Sequence, residues 1–353
     1  MITFFPGPSK VYPEVLNYFQ DAFNKGILSI NHRSSEFTTI SKRCVELLKE
    51  KLNIPQDYTV YFTSSATEGW EITAQSLTEK YSFHLFNGAF GKKWYEYTTK
   101  LGKETKSYQF DINVELDPVG LNIDSRAEVI CITQNETSNG TQVKNDIIAK
   151  FRDMYPEKLI AVDATSSIAG ISLDFKNADI WLGSVQKCFG LPAGLGIYIC
   201  SPRAMQRAVA INENNHYNSL LFIEDNMKNW QTNYTPNVLN IYLLMRVMEN
   251  VKNINEVGSL AAKRAKDLYD YLDGFSELRS LIQNPRVQSD TIVAVAGTEE
   301  YLAEIKSKAK AEAIHLGNGY GPWKPYTFRI ANFPAITDQE VSVLKEFLKK
   351  TAK

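Results

Sequence analysis

The chain has 353 residues, 44% of them apolar and 22% charged, with a net charge of −1. That length suits a large domain with a smaller companion, and the near-neutral charge excludes attraction to nucleic acid or an anionic membrane through the overall field. Cysteines 44, 131, 188 and 200 show neither metal-ligand spacing nor a disulfide framework; with no secretory pattern in MITFFPGPSK and no run near the roughly 18 apolar residues of a membrane helix, a cytoplasmic chain is expected.

Pro6-Gly7-Pro8 marks an irregular N-terminal arm rather than a first strand. From about residue 58 to 210, strand-like and helix-like segments alternate. Tyr58 to Thr63 (YTVYFT) reads as a strand that gives way at Ser64-Ser65 to a helix over Ala66 to Leu77. Ser82 to Phe86 reads as a strand and Ala89 to Leu101 as a helix. Glu128 to Thr133 is a buried strand, followed by a polar NETSNGTQ loop and a helix over Asn145 to Met154. Leu159 to Val162, Ile180 to Leu182 and Gly196 to Cys200 are further apolar strands. Such alternation predicts a mostly parallel sheet covered by helices on both faces.

After Pro236 the pattern changes. Helices are expected to about Val251 and from about Glu256 to Leu272. They are followed by a strand over Thr291 to Ala296, a helix over Glu299 to Ala311, a strand over Tyr326 to Ala331 and a final helix from Asp338. The division expected is a large α/β domain over 14–245 and a small α+β domain over 246–353 that also takes the arm 1–13.

Ligands of open α/β sheets gather at the carboxyl ends of strands. Lys187, in WLGSVQKCFGLPAGLG, lies in a small-residue turn after an apolar strand, and Asp163 ends the strand LIAVD. A lysine and an acid at one end of a sheet are the minimum equipment for pyridoxal phosphate: the amine forms a Schiff base, and the carboxylate keeps the pyridine nitrogen protonated. Thr63-Ser64-Ser65-Ala66-Thr67 puts small residues at a helix N-terminus, where backbone N–H groups can meet a phosphate; an ordinary Ser/Thr cap uses the same residues. Phe90 can stack on the pyridine ring or fill core. Thr137 can donate to the cofactor's phenolic oxygen or serve the Asn139-Gly140 turn. Gln186 is free to reach the phosphate. Arg329, in TFRIANFP, offers a fork for an α-carboxylate or a partner for a surface ion pair. His32 and Arg33, in INHRSSEF, add donors for a second anionic group of the substrate, or His32 serves a structural hydrogen bond.

With these residues laid out, the chain resembles the class V aminotransferases of pyridoxal-phosphate fold type I, and within them the phosphoserine aminotransferases. The resemblance rests on Gly7-Pro8-Ser9, Asn31 to Phe37, Asn135 to Gly140, Gln186-Lys187 followed by Pro-Ala-Gly, and Asn233 to Pro236. It implies a seven-stranded, mostly parallel sheet and a small C-terminal domain. Lys187 becomes the Schiff-base lysine, Asp163 the partner of the pyridine nitrogen, and Phe90 the stacking residue, in a place where tryptophan is usual. Thr137 meets the phenolic oxygen, while Ser65, Ala66, Thr67 and Gln186 cradle the phosphate. Thr235 reaches that phosphate from the second subunit of a homodimer. Ser9, His32, Arg33 and Arg329 fall to the substrate.

The reaction implied is transfer of an amino group between phosphoserine and 2-oxoglutarate, in serine biosynthesis. The family's His-Arg pair ahead of the carboxylate-binding arginine is replaced here by GYGPWKPYTFR, and its cofactor-loop arginine by Thr67, which leaves Lys324 and Arg33 as stand-ins. GYGPWK and VDATSSIAG also resemble alanine–glyoxylate and serine–glyoxylate aminotransferases. A cysteine desulfurase-like lyase fits less well. Those enzymes place His where Phe90 and Gln186 stand, and Cys188 directly follows the lysine. A binding protein that kept the fold would have had little reason to keep Asp163, Gln186 and Lys187 together.

Overall fold

The computed structural model describes residues 1–352. The apolar runs pair into a seven-stranded sheet in the order Thr59–Thr63, Gly196–Cys200, Ile180–Ser184, Leu159–Asp163, Val129–Thr133, Tyr81–Phe86, Glu104–Gln109. Gly196–Cys200 runs antiparallel to both neighbours, and the other pairings are parallel. Every residue of the strands VICIT, LIAVD, IWLGS and GIYIC is buried. Both faces are therefore covered, and continuous apolar runs rather than alternating ones are what that requires. Each fully buried Ile, Leu or Val in them contributes roughly 1.5–3 kcal/mol.

The antiparallel strand decides where Lys187 goes. Ser184 pairs with Gly196, and Gly196 with Thr63, so residues 185–195 form a turn at the sheet end where Thr63 hands over to its helix. Asp163 pairs with Leu182 and with Thr133. The residues after Phe86, Thr133, Asp163 and Ser184 consequently all emerge on one edge.

A second sheet has the order Ile2–Phe4, Ile314–Asn318, Thr327–Ala331, Ile292–Ala296, Arg279–Ser280. The helices Ile254–Leu272, Glu299–Ala311 and Asp338–Thr351 pack on it through Leu268, Leu302, Ile305, Leu344 and Phe347. The last helix is closed by a capping box between Thr337 and Glu340. No described helix is long and apolar enough to cross a membrane.

Three local expectations need correction, and one edge strand lies outside them. The N-terminal arm does begin with a strand: Ile2–Phe4 pairs in parallel with Ile314 to Leu316, and Phe4 is fully buried there. The run Ala66 to Leu77 is α-helical only to Ile72, then widens to a π turn over Thr73–Leu77. Hydroxyls compete with the helical ladder at that point, Thr73 Oγ1 donating to Gly69 O (2.8 Å) and Thr78 Oγ1 to Thr73 O (3.2 Å). The NETSNGTQ loop contains a short hairpin, Asn135–Glu136 with Thr141–Gln142. Its Gly140 has φ +80°, and a Cβ there would lie 2.9 Å from Ile292 O. Finally, Glu104–Gln109 is a sheet-edge strand with no buried residue, which hydrophobic periodicity cannot reveal.

Candidate active site

The carboxyl edge of the large sheet gathers Asp163, Lys187, Thr137 and Phe90, and Arg329 joins them from the second sheet. Lys187 is buried. Its Nζ donates to Pro6 O at 2.8 Å, lies 3.5 Å from Thr137 Oγ1 and is 5.9 Å from the Phe90 ring centroid. Burial first, and then the Arg329 charge, lower its pKa from 10.5 to about 8. Gly7 makes this approach possible: it has φ +148°, and a Cβ on it would come 2.9 Å from Lys187 Nζ.

Asp163 is buried, which raises its pKa, while bonds from Thr165 and Trp70 and the Lys187 charge oppose that rise. Oδ1 accepts from the Thr165 N–H and Oδ2 from Trp70 Nε1, each at 2.9 Å. Trp70 is itself held by a stack on Trp94, with centroids 6.1 Å apart and planes at 12°. A buried carboxylate is costly unless bonded and paired. Both oxygens are bonded, and Lys187 is the cation whose field reaches it.

Phe90 lies in the first turn of the helix Ala89–Lys100, whose N-cap, Gly88, has no side chain to offer. Glu136 supplies the missing cap, its Oε2 accepting from the N–H groups of Phe90 and Gly91 at 3.1 Å each. A Cβ at Gly88 would sit 2.2 Å from Glu136 Cγ, so only glycine admits that carboxylate. Phe90 stacks on Tyr320 at 5.0 Å and 18°, a contact of about 0.5–1.5 kcal/mol beyond its buried area.

Thr137 lies between the two sheets. Its hydroxyl forms a short hydrogen bond with Ser166 Oγ, and its carbonyl accepts from Arg329 Nη1 at 2.8 Å. Arg329 Nε donates to Asn318 O at 2.7 Å. Burial lowers the guanidinium pKa to about 10, with Glu136 and Tyr320 acting against the shift. Arg329 has no carboxylate within ion-pair distance among the described residues. Its partners are carbonyls, so its charge remains available.

At the neighbouring strand-to-helix turn, Ser65 caps the helix Ala66–Ile72 by accepting from Glu68 N–H (3.1 Å), and the Ala66 N–H donates to Ser184 Oγ (3.0 Å). Thr67 follows, exposed. Gln186 is half-buried, and its carbonyl accepts from the Ser9 N–H at 2.9 Å. Ser9 Oγ is buried without a partner.

Three sequence candidates lie apart from this cluster. Arg33 is exposed and donates to Gln231 Oε1 at 3.1 Å. His32 packs edge-on to Phe37 at 6.5 Å. Thr235 is exposed. Lys324 is exposed too, whereas Cys188 is buried with its thiol toward Ser166 O at 3.4 Å. Open clefts of about 420 and 550 Å³, lined among others by Arg264 and by Arg286, contain none of the cluster. Sequence reasoning missed Trp70, Gly7, Glu136, Tyr320 and Lys93. Of these, Lys93 was the most accessible, because it follows Phe90 by three residues on one helix face.

A model of the family "Aminotransferase class-V" matches residues 4–332. The phosphoserine aminotransferase of Rhodococcus opacus (strain B4) is 27% identical over 355 residues, spanning 96% of this chain and 91% of that protein. The crystal structure of a phosphoserine aminotransferase from Cytophaga hutchinsonii superposes with a TM-score of 0.95 at 34% identity, covering 99% of this chain and 98% of that one. An aspartate aminotransferase from Thermus thermophilus shares the fold, with a TM-score of 0.85 at 20% identity over 99% of this chain and 100% of that one. The chain belongs to the class-V aminotransferases: it is a pyridoxal-phosphate-dependent transferase that moves an amino group between an amino acid and a 2-oxo acid.

Proposed function

We propose that this enzyme transfers the amino group of phosphoserine to 2-oxoglutarate, with Lys187 and Asp163 as its catalytic pair. One observation carries the assignment of roles. A lysine with a pKa lowered to about 8 and a carboxylate with a raised pKa are both buried at one sheet edge, each within the other's field. The substrate is supported by the name shared by the Rhodococcus relative and the 34%-identical structure.

The side chains present fit the cofactor. The Lys187 amine is deprotonated far more readily than an exposed one, the Asp163 carboxylate suits a pyridinium N–H, and the partnerless Ser9 Oγ lies beside Gln186. In the first turn after Ser65, the Glu68 and Ala66 N–H groups are taken by Ser65 Oγ and Ser184 Oγ, and the Thr67 N–H remains for a phosphate oxygen. Pyridoxal phosphate, when bound, supplies an aldehyde for the amine and a cationic ring that accepts the electron pair left at the substrate's α-carbon.

Lys187 then does two things. As the neutral amine it would be the nucleophile that holds the cofactor, and when not so engaged its Nζ would take the α-proton and return it. Asp163 would hold the proton on the ring nitrogen, and Trp70 and Thr165 fix the carboxylate's orientation. With the cofactor bound, Phe90 would cover one ring face, Thr137 Oγ1 would bond the phenolic oxygen, and the remaining N–H donors of Arg329 would receive the substrate α-carboxylate. Ser9 adds a hydroxyl on the substrate side. Arg33 is exposed and bonded to Gln231, His32 is half-buried against Phe37, and Thr235 is exposed. They fit donors to the site of a second copy, and a homodimer with shared sites is part of this proposal.

The substrate is tested by single-turnover reactions of the holoenzyme with phosphoserine, glutamate, alanine and serine, followed by the change in cofactor absorbance. Phosphoserine and glutamate should convert it fastest. Rapid conversion by alanine with none by phosphoserine would overturn the assignment in favour of an alanine–glyoxylate type of activity.

A further inference from the structure

Lys93 has an unusual set of neighbours. It lies one turn after Phe90 on the helix Ala89–Lys100, with Nζ 5.4 Å from the Phe90 ring and 5.1 Å from the Tyr320 ring, and it donates to Tyr320 Oη at 2.6 Å. The adjacent Lys92 pairs with Glu96, but Lys93 has no carboxylate within ion-pair distance among the described residues. Tyr320 is also flanked by the Arg329 guanidinium, 5.5 Å from its ring centroid. One phenol thus stands between two cations, neither in an ion pair although the buried Glu136 carboxylate acts on both from further off, on the side of Phe90 that meets the second sheet.

The loop around Tyr320 is held in place. A Cβ at Gly319 would lie 2.5 Å from Thr327 Oγ1 and 2.7 Å from Thr327 O, and Gly321 has φ +57°. Glycine on either side of Tyr320 thus permits the close backbone approach to Thr327 and the left-handed turn that follow from this loop path.

We infer that Lys93 and Tyr320 form the element that receives the distal anionic group of the amino donor while Arg329 holds its α-carboxylate. The chemistry matches. An ammonium has three donor hydrogens and Tyr320 uses one; the phenol, accepting from Lys93, keeps its own O–H to donate. A phosphate or carboxylate placed there gains charge-assisted hydrogen bonds from groups already positioned. The Tyr320 bond and nearby charges raise the Lys93 pKa, so the ammonium form persists at neutral pH. A small apolar donor such as alanine offers nothing to this element.

This rests on the phosphoserine proposal, and the test separates the two. Lys93→Met keeps the stem over the rings and removes the charge; Tyr320→Phe removes only the hydroxyl. Single-turnover kcat/KM is measured for phosphoserine, glutamate and alanine. In the holoenzyme, binding of 3-phosphoglycerate, which carries carboxylate and phosphate but no amine, is measured by calorimetry. For Lys93→Met the ratio of phosphoserine to alanine kcat/KM should fall about 10–100-fold, mainly through KM, with 3-phosphoglycerate binding weakened by a similar factor. Tyr320→Phe should shift the same ratio by a smaller factor. An unchanged ratio in Lys93→Met, whether both donors keep their rates or lose them equally, would overturn the inference and leave the phosphoserine proposal standing. A wild-type enzyme that accepts alanine and not phosphoserine would overturn both.

Discussion

Lys187→Ala is expected to lower turnover by about 10⁴-fold or more while the fold is kept. No other described side chain offers an amine at that place. The protein should tolerate the loss, because Lys187 is held by one good hydrogen bond, to Pro6 O at 2.8 Å, and one long contact to Thr137. A buried ammonium is a burden in such surroundings. The measurement is steady-state turnover with circular dichroism as the control for folding, and wild-type turnover in the variant would remove the mechanism. The same lysine sets a pH dependence. An ordinary lysine at pH 8 is neutral in only about 0.3% of molecules, whereas Lys187, with its pKa lowered to about 8, is neutral in half of them at that pH. Capture of pyridoxal phosphate by the apoprotein should therefore accelerate as pH rises towards 8 and level off above it. A rate still rising tenfold per pH unit at about pH 9 would show that the amine is not perturbed as described.

Asp163→Asn is expected to lower kcat by about 10²–10³-fold, the range for removing one preorganised electrostatic partner of a reacting group. Its effect on the apoprotein should run the other way. Burial raises the Asp163 pKa above 3.8, so the folded apoprotein favours the protonated acid. Its stability on this account is full below about 3.8 and declines as pH rises through the raised value. Asparagine removes that decline and gives up at most one of the two bonds from Trp70 and Thr165. At neutral pH the apo variant should unfold at a temperature no lower than wild type, even though its holoenzyme is crippled. A large drop in the apoprotein's Tm together with normal kcat would contradict both halves of the argument.

Much of this geometry could be read from the chain, and the reason is topological. In a parallel sheet every strand delivers its carboxyl end to one edge, so Asp163 at the end of LIAVD, Lys187 after the strand that ends at Ser184, and Phe90 and Thr137 after their strands meet without knowledge of strand order. Partners that depend on strand order or on the second sheet were not legible. Trp70 reaches Asp163 across 93 residues of chain and Lys93 reaches Tyr320 across 227. Nothing local in either segment encodes the other. Glu136 sat in a recognised motif, but its role appears only once Gly88 is seen to lack a cap. The N-terminal strand Ile2–Phe4 was obscured by the Pro-Gly-Pro that follows it. Those residues in turn put Pro6 O on Lys187 and leave Gly7 no room for a side chain.

The most direct test of the central claim is to reduce the holoenzyme with borohydride, digest it and locate the pyridoxyl group by mass spectrometry. The group is expected on the peptide containing Lys187 alone, and Asp163→Asn should retain that site with weaker loading. Attachment at Lys93 or any other lysine, with Lys187 unmodified, would contradict the account.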